Sequence, residues 1–157
     1  GSQSRSDGFD QVLWLDGAHH SYIEEAGLMN VFFKIDGTVV TPELNGAILP
    51  GVTRDSVITF LHDQAVRVEE RQISIAEVVD AARQGSLEEI FATGTAASVA
   101  PVASLTFRSE RLRPSEVLPG PVTNDLFERL TGITVFAYGR LIEDGEFHHG
   151  DISSMSG

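Results

Sequence analysis

The spacing of apolar and polar residues changes several times along this chain, and each change predicts an element. Residues 11–15 are almost wholly apolar (Val12, Leu13, Trp14, Leu15) and read as a buried strand. Residues 29–35, rich in Val, Phe and Ile, read as a second one. Asp36-Gly37 then predicts a two-residue hairpin into a strand over 38–41. Pro50-Gly51 breaks the chain, and Thr53 is suited to cap a helix over about 53–64 with Val57, Ile58 and Leu61 on one face. Apolar and charged residues alternate over 66–71, which predicts a half-buried strand.

Ser74 followed by Glu77 forms a capping-box pattern. Ile75, Val78, Val79 and Ala82 keep helical spacing, and Gly85 stops that helix. Strands are expected over 87–91 and 98–107, on either side of the small-residue run 92–97. Pro121 opens a last helix whose expected buried face is Val122, Leu126, Phe127 and Leu130. Residues 1–8 are polar and expected to be disordered, 9–142 form one domain, and 143–157 form a polar tail. Interleaved strands and helices with a hairpin predict an α+β domain built on a mixed sheet.

Composition narrows the function classes. A chain of 157 residues with a 41% apolar content supports a single core. The net charge of −12 argues against nucleic acid or an anionic membrane as partner. No apolar run approaches the ~20 residues that span a bilayer, and the start carries no secretory pattern. There is no Cys, which fits a reducing, cytoplasmic setting and leaves no thiolate for a metal. The histidines lie in adjacent pairs (His19-His20, His148-His149) or alone (His62), so no metal site is expected. The Arg-rich stretch 108–113 reads as a solvated turn.

Three segments have residue types suited to an anionic ligand. Gly51-Val52-Thr53 precedes a helix, where free backbone N–H groups and a partial positive charge suit a phosphate. An ordinary capped helix start uses the same residues. Thr93-Gly94-Thr95-Ala96-Ala97 combines a slim backbone with hydroxyls, which suits a phosphate edge or a carboxylate; a close strand crossing explains it equally. Glu25, beside Ala26-Gly27, needs a cationic or donor partner if it is desolvated, and a protonated pyridine nitrogen would serve. Lys34, the sole lysine, sits beside the Asp36-Gly37 turn, so a solvent-facing position is expected, not a catalytic one.

Blocks E-E-A-G-L-M-N (24–30), T-P-E-L-N-G-A-I-L-P-G-V-T-R-D-S (41–56) and F-A-T-G-T-A-A (91–97) recur in this order. Over residues 9–133 the chain resembles the large, C-terminal domain of branched-chain amino-acid aminotransferases, pyridoxal-phosphate enzymes of the D-amino-acid-aminotransferase-like fold. The resemblance implies a mixed or antiparallel pseudo-barrel sheet with surrounding helices. It implies that Glu25 binds the pyridine nitrogen and that Leu49 packs on the ring. Val52, Thr53 and Thr95 hold the phosphate, with Gly51 and Gly94 admitting it, and Thr95 and Ala96 receive the substrate carboxylate. The implied substrates are amino acids and 2-oxo acids, and the implied assembly is a homodimer. The family's Schiff-base lysine lies upstream of the strand matched by 11–15, so no catalytic residue is assigned here and the chain alone is expected to be inactive. An aminodeoxychorismate lyase, a D-amino-acid transaminase and a non-catalytic binding or assembly module remain open alternatives.

Overall fold

The computed structural model describes residues 9–15, 21–26, 29–44, 52–94, 99–116, 120–131 and 139–143. In chain order the elements are β1 (Phe9–Leu15), β2 (Ile23–Ala26), β3 (Asn30–Ile35), β4 (Thr38–Thr41), α1 (Val52–Asp63), β5 (Val68–Glu70) and α2 (Ile75–Gln84). They continue with β6 (Leu87–Thr93), β7 (Val99–Phe107), β8 (Glu110–Leu112), α3 (Pro121–Thr131) and β9 (Gly139–Glu143). The strands form one sheet in the order β2-β1-β9-β7-β6-β3-β4-β5, with β8 paired to β7. β9 runs parallel to both β1 and β7, and β5 runs parallel to β4. The other ladders are antiparallel, so the α+β class and the mixed sheet are as expected.

Alternation along β3 divides the apolar core between the two sheet faces. Val31 and Phe33 join Leu13, Leu15, Ile23 and the buried side of α2 (Ile75, Val78, Val79, Ala81). Phe32 faces the other way and stacks on Phe91 with ring centroids 4.8 Å apart and planes at 6°. That second face is covered by Val57, Ile58 and Leu61 of α1 and by Leu126 of α3.

Local chemistry explains the element ends. Asp36 and Gly37 both take positive φ (49° and 79°), which is the turn that matches the twist of a hairpin. The Ser74 side chain accepts from the Glu77 N–H at 3.0 Å, as the capping pattern predicts. The Glu77 carboxylate turns away from this box and takes the Arg71 guanidinium at 2.6 and 2.9 Å. Gly85 ends α2 in the left-handed region at φ 78°.

Several expectations are corrected. α1 spans Val52–Asp63, so Thr53 belongs to its first turn and is not its cap. The strand predicted over 66–71 is shorter, because only Val68–Glu70 pairs with β4. The stretch 108–113 is not merely a turn: Arg108 and Ser109 take positive φ (49° and 69°) and lead into β8, which pairs with β7. On α3, Thr123 is buried and Val122 only half-buried, because Thr123 lies against a buried carboxylate on β6. Glu143, placed in the polar tail from the sequence, is the last residue of β9. Lys34 is not solvent-facing; its side chain is 15% exposed and lies between Glu88 and Glu89. The predictions for 1–8, Leu49, Gly51, Thr95, Ala96 and the two adjacent His pairs lie outside the described residues.

Candidate functional site

Sheet register brings the ends of several elements to one edge. Asn30, at the start of β3, lies opposite Thr93, at the end of β6, and Thr93 lies opposite Val99, at the start of β7. β4 runs antiparallel to β3, so its exit at Thr41 and Pro42 falls at the same edge. The Thr41 hydroxyl donates to the Val31 carbonyl at 2.8 Å and fastens that exit. β2 ends at Ala26 just before β3 begins, which brings the backbone of Glu25 to this side.

Arg54 adds α1 to the group. It is 1% exposed, and its Nη2 donates to the Pro42 carbonyl at 3.1 Å and to Glu70 Oε1 at 2.9 Å. The first turn of α1, with the backbone of Val52 and Thr53, is therefore held at the β4 exit. Of the predicted site residues, the backbones of Glu25, Val52, Thr53 and Gly94 are thus gathered at one end of the sheet. The side chains of Glu25, Val52 and Thr53 are outside the description.

Four polar residues are buried on this face of the sheet, Arg54, Asn30, Thr93 and Glu89, and of these the sequence singles out only Thr93. Arg54 carried a readable signal. It precedes Val57, Ile58 and Leu61 by three, four and seven positions, which places a charge on the apolar stripe of α1. The other three share alternation with apolar neighbours: Asn30 with Phe32, and Glu89 and Thr93 with Phe91.

Two of these residues retain unused hydrogen-bonding capacity. The Thr93 hydroxyl is fully buried without a partner, and so is Arg54 Nε. Orphaned buried polar atoms are uncommon in native folds. Thr93 adjoins Gly94 at the end of β6, so a ligand carrying acceptor oxygens suits this edge better than an apolar one. The residues present therefore fit a phosphate-bearing group.

A second charged cluster lies on the same sheet face. Glu89, 3% exposed, accepts from Val122 N (3.1 Å), Thr123 N (2.9 Å) and Thr123 Oγ1 (2.8 Å) at the start of α3. Lys34 Nζ approaches it at 3.3 Å and Glu88 at 3.6 Å. A carboxylate at a helix N-terminus is favourable by up to ~2 kcal/mol when partly buried. A Cβ at position 120 would overlap the Glu89 side chain, so the glutamate would have to shift to admit one. Beyond this cluster, Arg67 and Arg71 engage Glu69, leaving Glu70 for Arg54. The Arg71 hydrogen bond holds the Glu69 carboxyl below its usual range.

With this arrangement in place, known proteins supply the comparison. The sequence pattern of Amino-transferase class IV matches residues 1–105, two thirds of the chain. The chain belongs to this family. Branched-chain-amino-acid aminotransferase 2 of Bacillus subtilis is 51% identical over 126 residues, covering 80% of this chain and 35% of the relative. This chain therefore spans about a third of the length of that curated relative. A branched-chain amino acid aminotransferase from Thermobaculum terrenum, solved in its PLP form, superposes with a TM-score of 0.62 at 28% identity, over 76% of this chain and 36% of that one. The 4-amino-4-deoxychorismate lyase of Pseudomonas aeruginosa superposes with a TM-score of 0.62 at 25% identity, over 78% and 40%. No helix among the described residues is long and apolar enough to cross a membrane.

Proposed function

We propose that this chain is the large-domain part, residues 9–142, of a pyridoxal-phosphate-dependent branched-chain amino-acid transaminase. Within a longer, homodimeric, cytoplasmic protein it would act on leucine, isoleucine or valine with 2-oxoglutarate. The observation that carries this reading is the 51% identity to a branched-chain transaminase. The fold does not decide the reaction, since transaminase and lyase superpose equally well at 0.62.

In this reading Val52, Thr53 and Thr95 hold the phosphate, and Gly51 and Gly94 let the backbone approach it. Leu49 packs against the ring, and Glu25 holds the pyridine nitrogen in its protonated form. Thr95 and Ala96 orient the substrate carboxylate through their N–H groups. When bound, pyridoxal phosphate supplies an electron sink for carbanion chemistry. The chain's own part is to bind, orient and polarise that group. Lys34, the sole lysine, is engaged by Glu88 and Glu89, so covalent attachment to the cofactor aldehyde is not expected from it.

The test mixes this chain with pyridoxal phosphate and follows binding by calorimetry and covalent capture by borohydride reduction and mass spectrometry. Reversible binding competed by inorganic phosphate is expected, with no reduced adduct on Lys34 and no turnover of leucine with 2-oxoglutarate. An adduct on Lys34, or absence of phosphate competition, contradicts the reading.

A further inference from the structure

Arg54 holds more than the start of a helix. One nitrogen of its guanidinium reaches the carbonyl where β4 ends and the carboxylate where β5 ends (3.1 and 2.9 Å). The chain leaves β4 at Pro42 and returns as α1 at Val52, and Arg54 ties these two points together. The segment between them carries Leu49 and Gly51, and the return carries Val52 and Thr53.

Stability alone does not account for an arginine here. A cation in the first turn of a helix meets the positive end of the macrodipole. A buried cation also loses hydration that an apolar residue of similar volume would not. Its partner Glu70 is 45% exposed, so solvent screens part of their attraction. The Arg54 Nε atom remains without a partner. The feature that does need an arginine is the fixed span between the two chain ends. A planar guanidinium on a long stem lets one nitrogen, Nη2 with its two N–H donors, hold the Pro42 carbonyl and the Glu70 carboxylate at once.

We propose that Arg54 is a positioning residue for phosphate recognition. It sets the place of the Val52 and Thr53 amides relative to the β4 exit, and so fixes the phosphate-receiving end of α1. This inference rests on the function proposed above and adds to it a residue that does not itself touch the ligand.

The experiment compares this chain with its Arg54→Met and Arg54→Lys variants by calorimetric titration with pyridoxal phosphate, pyridoxal and inorganic phosphate. Folding is checked by circular dichroism. The unsubstituted chain should prefer pyridoxal phosphate to pyridoxal. Arg54→Met should weaken pyridoxal phosphate and inorganic phosphate by roughly tenfold, the equivalent of about one hydrogen bond's alignment. Pyridoxal affinity should stay the same. Arg54→Lys keeps the charge but not the planar guanidinium and should recover only part of the loss. If Arg54→Met does not fold, the partial, phosphate-confined loss in Arg54→Lys carries the test.

Unchanged phosphate affinity in the folded variants overturns the proposal. So does an equal weakening of pyridoxal phosphate and pyridoxal, since that pattern marks a purely structural role. An unsubstituted chain with no preference for the phosphate ester overturns the cofactor reading itself, and this inference falls with it.

Discussion

Two helices meet the same face of the sheet, and the buried charges at their starts are opposite: a carboxylate from β6 at α3 and the helix's own arginine at α1. At α3 the N-terminal amides are closed by Glu89, a carboxylate delivered from the sheet and backed by Lys34. At α1 the first turn contains a buried cation, Arg54, which reaches away to the β4 exit and to β5. In the first arrangement three donors at the start of α3 are spent on Glu89, and the atom left over is an acceptor, Asn124 Oδ1, which has no partner among the described residues. In the second, Arg54 Nε has no partner among the described residues, and neither has the buried Thr93 hydroxyl at the end of β6. A closed charge cluster fixes a fold, whereas a tethered helix start with unused donors nearby suits a ligand.

The most severe test of the closed cluster is Glu89→Ala. It leaves Lys34 with Glu88 alone and takes the acceptor from the Val122 and Thr123 amides and the Thr123 hydroxyl, and a loss of about 3 kcal/mol is expected in urea unfolding. A loss below about 1 kcal/mol, the range of an exposed ion pair, would show that the cluster is not a structural anchor. Gly120→Ala attacks the same contact from the helix side. Its Cβ overlaps a glutamate that three α3 donors hold in place, so overpacking of about 1–3 kcal/mol is expected. If a shift of Glu89 absorbs the methyl group, the melting temperature will not change and the close fit is refuted.

Ser74→Ala sharpens the comparison, because α2 is capped by a simple side chain with no ligand role assigned. Loss of that cap should cost about 1 kcal/mol and leave phosphate binding untouched. Altered phosphate affinity in this variant would show that any damaged helix start disturbs the site.

The smallest effect is expected at the exposed Arg83–Glu110 pair. Arg83→Ala should leave stability at neutral pH and physiological salt within experimental error. Arg83 holds the Glu110 carboxyl below its ordinary 4.5, chiefly through their hydrogen bond. A depressed carboxyl contributes stability above its unfolded pKa and loses it as pH falls through the lower folded value. The small contribution of the pair should therefore be present above about pH 4.5 and vanish in the acid limb, where variant and parent converge. A difference that appears only below about pH 4.5 would contradict this assignment.

Much of this fold was legible because local signals and pairing agree. The Asp36-Gly37 turn, the Ser74 cap, the Gly85 stop and the apolar runs of β1 and β3 each predict the element found. Strands β2, β8 and β9 were missed because they are short and have no strong period of their own; pairing with β1 and β7 makes them strands. Lys34 was misplaced because its partner Glu89 lies 55 residues away and no local rule brings the two together. Glycine and hydroxyl patterns drew attention to the segments at 51–53 and 93–97. Burial of Arg54 was not read, although its place on the α1 stripe announced it.

The central claim is that the start of α1 receives a phosphate and the start of α3 does not. A titration of the isotopically labelled chain with pyridoxal phosphate, followed amide by amide in nitrogen–proton correlation spectra, tests it most directly. The account predicts saturable shifts at Val52, Thr53 and Gly94, with Val122 and Thr123 unmoved behind Glu89. Shifts at Val122 and Thr123, or silence at Val52 and Thr53 while the ligand binds, would contradict it.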